Sequence, residues 1–347
     1  MSAVDAPGPQ ARRRAALGLL FQMERGTFRV NGREHCMFAR AGMTRAEFDA
    51  TLPQYLGGRW FAGFPEQSRD GLFMDYVAPM IELAAEAGHD APFMVAVGDN
   101  RRSLPAPAFV RARRVGHPGL GVIQRFRSHN HTPDTFKITG ADIPFEKKAD
   151  QLVWRGATTG RFKQRAGENG FSSRYFVMAA QRAIDDPRID IGYSSLAQMH
   201  VVPPHLKAQV SAAIRAKLSW DEMLNARFLL VLEGNDVATA LPWVLHANSC
   251  PIMPTPLFES WFCESALRRN VHYAPVSPDL SDLQPVFDAC VCERRASARI
   301  AANGRQFIQA FLDDDAEHAL ALEVAKTVFH KVKLVPGSKG ELPDGLF

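Results

Sequence analysis

The sequence predicts an α/β protein of two domains, the second built on a parallel sheet with helices on both faces. Three observations carry that expectation. The 347 residues exceed the roughly 250 to 300 at which a single hydrophobic core stops growing. From about residue 150 onward, short apolar runs alternate with helical stretches, the order that a parallel sheet requires. Those runs, Phe228–Leu232 above all, are apolar without alternation, as strands buried on both faces are.

In chain order, Arg12–Glu24 predicts a short helix, packed on its own domain or lying as an amphipathic helix on a membrane surface. Gly71–Gly88 has helical periodicity and stops at a glycine suited to a C-terminal cap. Pro92–Val97 and Gly119–Phe126 are strand candidates. Beyond residue 150, strands are expected at Gln151–Gly156, Ile189–Ser194, Arg227–Gly234, Cys250–Pro254 and Val271–Val276. Helices are expected at Ser172–Ile184, Pro204–Leu218, Val237–Asn248, Glu259–Leu267 and Leu280–Ala302. Pro204 suits a first helical turn, where a missing N–H is harmless. Asp313-Asp314-Asp315 has the D-x-D form of a metal motif but reads as the N-cap region of a last helix, Ala316–Phe329. The expected division is residues 1–149, residues 150–312, and a helix and tail, residues 313–347, packing back on the first domain.

A net charge of +4 is small for this length, yet arginine concentrates before residue 130, which suggests an anionic partner for the N-terminal half, or else solvated basic faces. No aromatic-interleaved basic repeat, zinc spacing or helix-turn-helix signature accompanies it, so nucleic acid is not expected. The cysteines Cys36, Cys250, Cys263, Cys290 and Cys292 are scattered and odd in number, and read as small buried apolar residues of a reducing compartment. No apolar run approaches the ~20 residues that span a bilayer, and the N-terminus lacks a signal-peptide pattern. Cytoplasmic residence is the expectation.

Three strand ends carry polar or glycine-rich loops. In Val153–Arg161, Gly156 and Gly160 allow close backbone approach, Thr158 and Thr159 offer hydroxyls, and Arg155 and Arg161 offer guanidinium forks for phosphate, or else face solvent around a tight turn. In Glu233-Gly234-Asn235-Asp236, Gly234 permits a positive φ, and Asp236 can cap a helix beginning near Val237 whose free N–H groups would face an anion. Glu233 ends an apolar strand, a costly place for an acid without a partner or a ligand hydroxyl. Glu259 opens the third loop, as a hydroxyl acceptor or a first-turn glutamate.

Taken together, the blocks WRGATTGR, FLLVLEGNDVATALPWVLHANSCPIMP, FESW, VHYAPVSPDLSDL and ANGRQFIQAFL, ordered between residues 150 and 312, resemble glycosyltransferase family 90, and within it the bacterial lipopolysaccharide core branch. VGDNRR and DIPFEKKADQLVWRG resemble family segments upstream. The resemblance implies a GT-B architecture: two Rossmann-like domains facing a cleft, the C-terminal one holding a UDP-sugar donor and the N-terminal one a glycan or lipid-linked acceptor. It implies inverting transfer with no metal and no cofactor beyond the donor. Such transfer needs a base for the acceptor hydroxyl and positive groups for the departing diphosphate. Asp99, after the buried strand Phe93–Val97, is assigned as base, with Asp134 and Asp142 as rivals. Arg155, Gly156, Thr158, Thr159, Arg161, Glu233, Gly234, Asn235, Asp236 and Glu259 are assigned to the donor. One departure stands out: Leu241-Pro242 occupies the place where family members carry a basic residue.

The expected enzyme extends a cell-surface glycan at the inner face of the membrane, its arginine-rich half toward an anionic acceptor or lipid surface. The alternative is a catalytically silent nucleotide-sugar or glycan-binding protein, favoured by the missing cation. An oxidoreductase is not expected, because no G-x-G-x-x-G follows a strand candidate.

Overall fold

The structure, a computed structural model, describes residues 4–30, 37–56, 70–98, 104, 106–116, 119–126, 142–162, 171–200 and 202–336. The chain forms two compact units. A central unit comprises Met1–Ala6, Pro133–Leu257 and Glu264–Leu312, and an N-terminal unit comprises Pro7–Thr132, Phe258–Cys263 and Asp313–Phe347. Asp99 and Asp134 lie outside the described residues.

The N-terminal unit begins with α1 (Pro9–Leu17), β1 (Gly26–Val30), β2 (Met37–Ala39) and α2 (Arg45–Leu56), followed by α3 (Ala78–Glu86), β3 (Phe93–Val95), β4 (Ala108–Val110), β5 (Ala112–Arg114) and β6 (Gly121–Ile123). A four-stranded sheet runs β2-β3-β4-β6, parallel except for β2. The helix expected at Gly71–Gly88 passes through a wider π turn at Phe73–Val77 before α3. Gly88, at φ +65°, ends it. The N–H groups of Gly88 and His89 return to the carbonyls of Ala85 and Ala84, a Schellman closure that only a residue tolerant of positive φ permits cheaply.

The central unit follows with β7 (Ala149–Ala157), α4 (Ser173–Ala183), β8 (Ile189–Ser195), α5 (Pro204–Ala212), α6 (Trp220–Leu224), β9 (Ala226–Leu230), α7 (Leu241–His246) and β10 (Cys250–Met253). The chain then enters the N-terminal unit for β11 (Phe258–Ser260), returns for β12 (Ala274–Pro275), α8 (Leu283–Cys292) and α9 (Arg294–Ile308), and ends in the N-terminal unit with α10 (Asp314–Lys331) and β13 (Val332–Pro336). The central sheet is wholly parallel, in the order β12-β10-β9-β7-β8. Every residue of β9 and β10 is buried, which is why these strands read as unbroken apolar runs. Phe228 meets Phe145 and Phe287 edge-on in the core beneath.

Four helical expectations are corrected. Pro204–Leu218 ends at Ala212, because Ile214 bridges in parallel to Tyr193 beside β8. Glu259–Leu267 is not a helix: Phe258–Ser260 is a strand antiparallel to β5, with Glu259 opposite Arg113, and only a 3-10 turn, Glu264–Ala266, follows. Val237–Asn248 shortens to α7, because Pro242 belongs in a first helical turn and sets the start at Leu241. Leu280–Ala302 divides into α8 and α9 at Glu293, whose ψ of 50° is not helical. The expected N-cap holds: Asp313 Oδ1 accepts from Ala316 N at 3.0 Å.

The two ends of the chain meet inside the N-terminal unit. Arg12 on α1 forms a two-pronged pair with Glu317 on α10, both contacts 2.6 Å and both side chains buried. Trp261 Nε1 donates to the same carboxylate at 2.5 Å. β1 pairs in parallel with β13.

In the central unit, His272 is buried and needs its neutral form. Its Nδ1 accepts from Arg268 N at 2.9 Å while Nε2 faces the Val4 carbonyl at 3.2 Å. Burial, the largest cause, pushes its pKa down, as it does for His246 and, in the N-terminal unit, His89. The unfolded chain therefore binds protons below about 6.5 that the folded chain resists. Stability is expected to fall as pH drops below that value, and His272→Gln should flatten the decline in thermal midpoint between pH 7 and 5.

Candidate functional site

The central sheet has the winding of a flavodoxin-like fold. From β7 the chain moves outward to β8, then crosses back past β7 to β9 and onward to β10 and β12. The direction of winding reverses between β7 and β9, and ligands of open parallel sheets bind outside the carboxyl ends of the strands at that reversal. Residues 157–161 follow β7 there, and residues 231–236 follow β9.

These two loops are packed against each other through glycines. Gly160 N donates to Asn235 Oδ1 at 3.0 Å. A Cβ on Gly234 would lie 2.6 Å from Thr159 Oγ1 and 3.1 Å from Arg174 Cζ, and one on Gly160 would lie 2.4 Å from Ser172 Oγ and 3.2 Å from the Gly234 carbonyl. Gly160 also sits at φ +110°. Gly234 is outside the positive-φ region, so its missing side chain serves close approach rather than an unusual turn. Gly160→Ala should cost about 1–3 kcal/mol through backbone strain and the Ser172 clash. A lower thermal midpoint, accompanied by weaker nucleotide binding, is the expected measurement.

Arg174, which the sequence reading passed over, joins the two strand ends. It stands in the first turn of α4. Its Nη1 donates to the Ala157 carbonyl at 3.0 Å and to Thr159 Oγ1 at 2.6 Å, while Nε and Nη2 reach the Leu232 carbonyl at 3.3 and 3.1 Å. The guanidinium lies over the Trp154 ring, 5.7 Å from its centroid. Tyr193 Oη, on β8, donates to the Arg174 carbonyl at 2.5 Å and fixes the start of α4. A permanent positive charge is thereby held between the carboxyl ends of β7 and β9. The only local signal was an arginine just inside the helix that follows the Gly160 loop.

The other assigned residues divide. Thr159, Gly160, Gly234 and Asn235 are brought together. Arg161 is tied to the start of α4, its N–H donating to Ser172 Oγ at 3.1 Å and its carbonyl accepting from Ser172 N at 3.1 Å. Asp236 is buried beside the turn, but α7 begins only at Leu241 with Ala240 as a capless N-terminus, so no helix start follows Gly234. Glu233 Oε1 accepts from Leu257 N at 3.0 Å. Thr158 is buried, donating to the Ala197 carbonyl at 2.6 Å and accepting from Ala197 N at 2.7 Å. The place of a Cβ on Gly156 is taken by the Trp154 ring, 2.5 Å away.

Arg155 is occupied within the sheet, donating to Asp190 Oδ2 at 2.7 Å and to the carbonyls of Trp154, Asp190 and Ala216. Glu259 belongs to the N-terminal unit, where its Oε1 accepts from Arg113 Nε and Nη2, both at 3.1 Å. Asp142 accepts from Lys148 Nζ and Asn248 N, both at 2.6 Å; burial pushes the Lys148 ammonium down against the pull of Asp142. Leu241 and Pro242 are buried in α7.

The family model described as glycosyl transferase family 90 matches residues 136–322. The chain is 28% identical over 267 residues to the O-glucosyltransferase LpsA of Dichelobacter nodosus, covering 77% of this chain and 74% of that protein. It is 26% identical over 176 residues to protein 035R of Invertebrate iridescent virus 3, covering 49% of this chain and 16% of that one. Among solved structures, Anabaena HepE in complex with UDP and glucose superposes with a TM-score of 0.41 at 11% identity, over 65% of this chain and 63% of that one. HepE with UDP-glucose gives 0.35 at 11% identity, over 51% and 48%.

Proposed function

Since the chain belongs to glycosyl transferase family 90 and is a glycosyltransferase, we propose that it transfers a sugar from a UDP-sugar, held at the reversal between β7 and β9, to the hydroxyl of a cell-surface glycan, with inversion and without a metal. The observation that carries the donor site is Arg174 bridging the two strand ends across Thr159, with Gly160 and Asn235 joined beside it. In this reading Arg174 supplies the cation that Leu241-Pro242 does not, with Arg161 close by in sequence. Glycine at positions 160 and 234 lets the loops converge on the nucleotide, and Arg155, Gly156 and Thr158 shape the strand end beneath them.

The reaction follows from those groups. The acceptor oxygen bonds to the anomeric carbon as the bond from that carbon to the β-phosphate oxygen breaks, and the electron pair leaves with UDP. The hydroxyl proton passes to Asp99 as general base. The negative charge developing on the diphosphate is stabilised by fixed positive groups, the largest kind of contribution in such displacements. The lipopolysaccharide core acceptor rests on the resemblance of EGNDVA and ESW to the bacterial branch, and the similarity to a bacterial O-glucosyltransferase supports a glycosyl donor. We carry the two-Rossmann GT-B arrangement, and residence at the cytoplasmic membrane face, as parts of the same proposal. Among the described residues no helix is long and apolar enough to cross a membrane.

UDP release from a panel of nucleotide sugars, with and without an oligosaccharide acceptor, tests the reading. Acceptor-dependent release from one UDP-sugar, lost in Asp99→Asn while UDP binding persists, is expected. Binding of UDP with no turnover in any combination supports the silent binding protein instead.

A further inference from the structure

The N-terminal unit contains an open cavity of about 940 Å³ beside the paired strands β1 and β13. Its lining includes Arg25, Arg40, His330, Lys331 and Lys333 together with the rings of His89 and Phe329, and Asp90 is the only carboxylate on the lining among the described residues. Within this unit Arg12 is matched to Glu317, Arg113 to Glu259 and Arg40 to Glu47. The other cations of the lining are different. Arg25 donates from Nε to His330 Nε2 at 3.1 Å, and its Nη2 lies 2.7 Å from His330 Nδ1, a ring that brings no negative charge. Lys331 Nζ donates to the carbonyls of Leu20, Phe21 and Met23 at 3.0, 3.0 and 2.7 Å, which satisfy its protons but not its charge. Lys333, opposite Thr27 in the strand pair, has no partner among the described residues.

Of the four permanent cations on the lining, Arg40 is paired with Glu47 at 2.5 Å; the other three, with one acid on the lining, attract an anion and favour a dianion over a single carboxylate. The aromatic rings add shape. The rings of His89 and Phe329 stack with centroids 4.1 Å apart and planes 8° from parallel, backed by Phe93 and Phe109. Burial pushes the His89 pKa down, which keeps that ring neutral. An aromatic stack beside unpaired cations suits a ring that bears charged substituents, and the volume lies within the range of ligand sites.

We propose that this cavity, at the amino end of β3, binds a phosphorylated sugar, the sugar ring against the stacked pair of His89 and Phe329 and the phosphate among Arg25, Lys331 and Lys333. The binding does not rest on the glycosyl-transfer reading. The full chain titrated calorimetrically with a phosphorylated disaccharide, and with the same disaccharide lacking phosphate, tests it at fixed ionic strength. The phosphorylated form should bind at least roughly tenfold more tightly. Arg25→Glu/Lys333→Glu should abolish that preference with UDP binding and thermal midpoint unchanged, both side chains being exposed, and Arg25→Gln/Lys333→Gln should give a partial loss.

Equal affinity for the two disaccharides, or no loss in the charge-reversed variant, overturns the inference. So does competition by inorganic phosphate as effective as that by the phosphorylated disaccharide, or binding to phosphatidylglycerol vesicles in place of the sugar. Failure of the transferase reading looks different: no UDP binding, with the disaccharide preference intact.

Discussion

Arg174→Ala is expected to lower kcat/KM for the UDP-sugar by roughly 10²–10³, the scale on which removal of one fixed charge-stabilising donor acts. The side chain joins the Ala157 and Leu232 carbonyls and Thr159 Oγ1, so its loss both removes a cation and loosens the loops. These contributions separate by measurement. Arg174→Lys keeps the charge but cannot span two carbonyls and a hydroxyl with a planar fork. If charge dominates, Lys restores most of the UDP affinity by calorimetry; if bridging dominates, Lys resembles Ala and both lower the thermal midpoint. Full activity in Arg174→Ala with intact UDP affinity would remove the reversal between β7 and β9 from the donor site.

Glu317→Ala should destabilise the N-terminal unit by about 3–5 kcal/mol, the cost of stranding a buried charge. Arg12 and Glu317 are about 5% and 3% exposed, so water cannot take over the lost contacts, and Trp261 Nε1 loses its acceptor as well. Arg12→Met/Glu317→Leu should be less destabilised than either single variant, because replacing both charges removes their desolvation penalty together. Urea unfolding followed by tryptophan fluorescence provides the comparison. A single variant within about 0.5 kcal/mol of wild type, the usual range for surface positions, would mean that the pair is solvated in solution.

The strands of the central sheet were legible because burial on both faces leaves an uninterrupted apolar run, as in β9 and β10. The turn after β9 was legible through its glycine. Its meaning was not, because Gly234 is dictated by Thr159 and Arg174, residues far upstream in the chain. The segment Phe258–Leu267 misled for a related reason. Its composition suits a helix, but its first residues complete a ladder with Ala112–Arg114, and no local pattern announces a partner 146 positions off. Arg174 was visible as a helical residue, whereas its role depends on which way the first turn of α4 faces. Asp99, assigned from the strand before it, lies outside the described residues.

The closure of the N-terminal unit by α10 and β13 has a consequence during synthesis. Val30 pairs with Pro336, so β1 leaves the ribosome long before its partner is translated. At about 5–20 residues per second, the wait is on the order of 15–60 s. The central unit has all its strands by Pro275 and its last helix by Ile308, and can complete its sheet first. The N-terminal unit is therefore the last to finish although it is the first to emerge, and a nascent chain halted before Asp314 would leave it without the helix and strand that seal it.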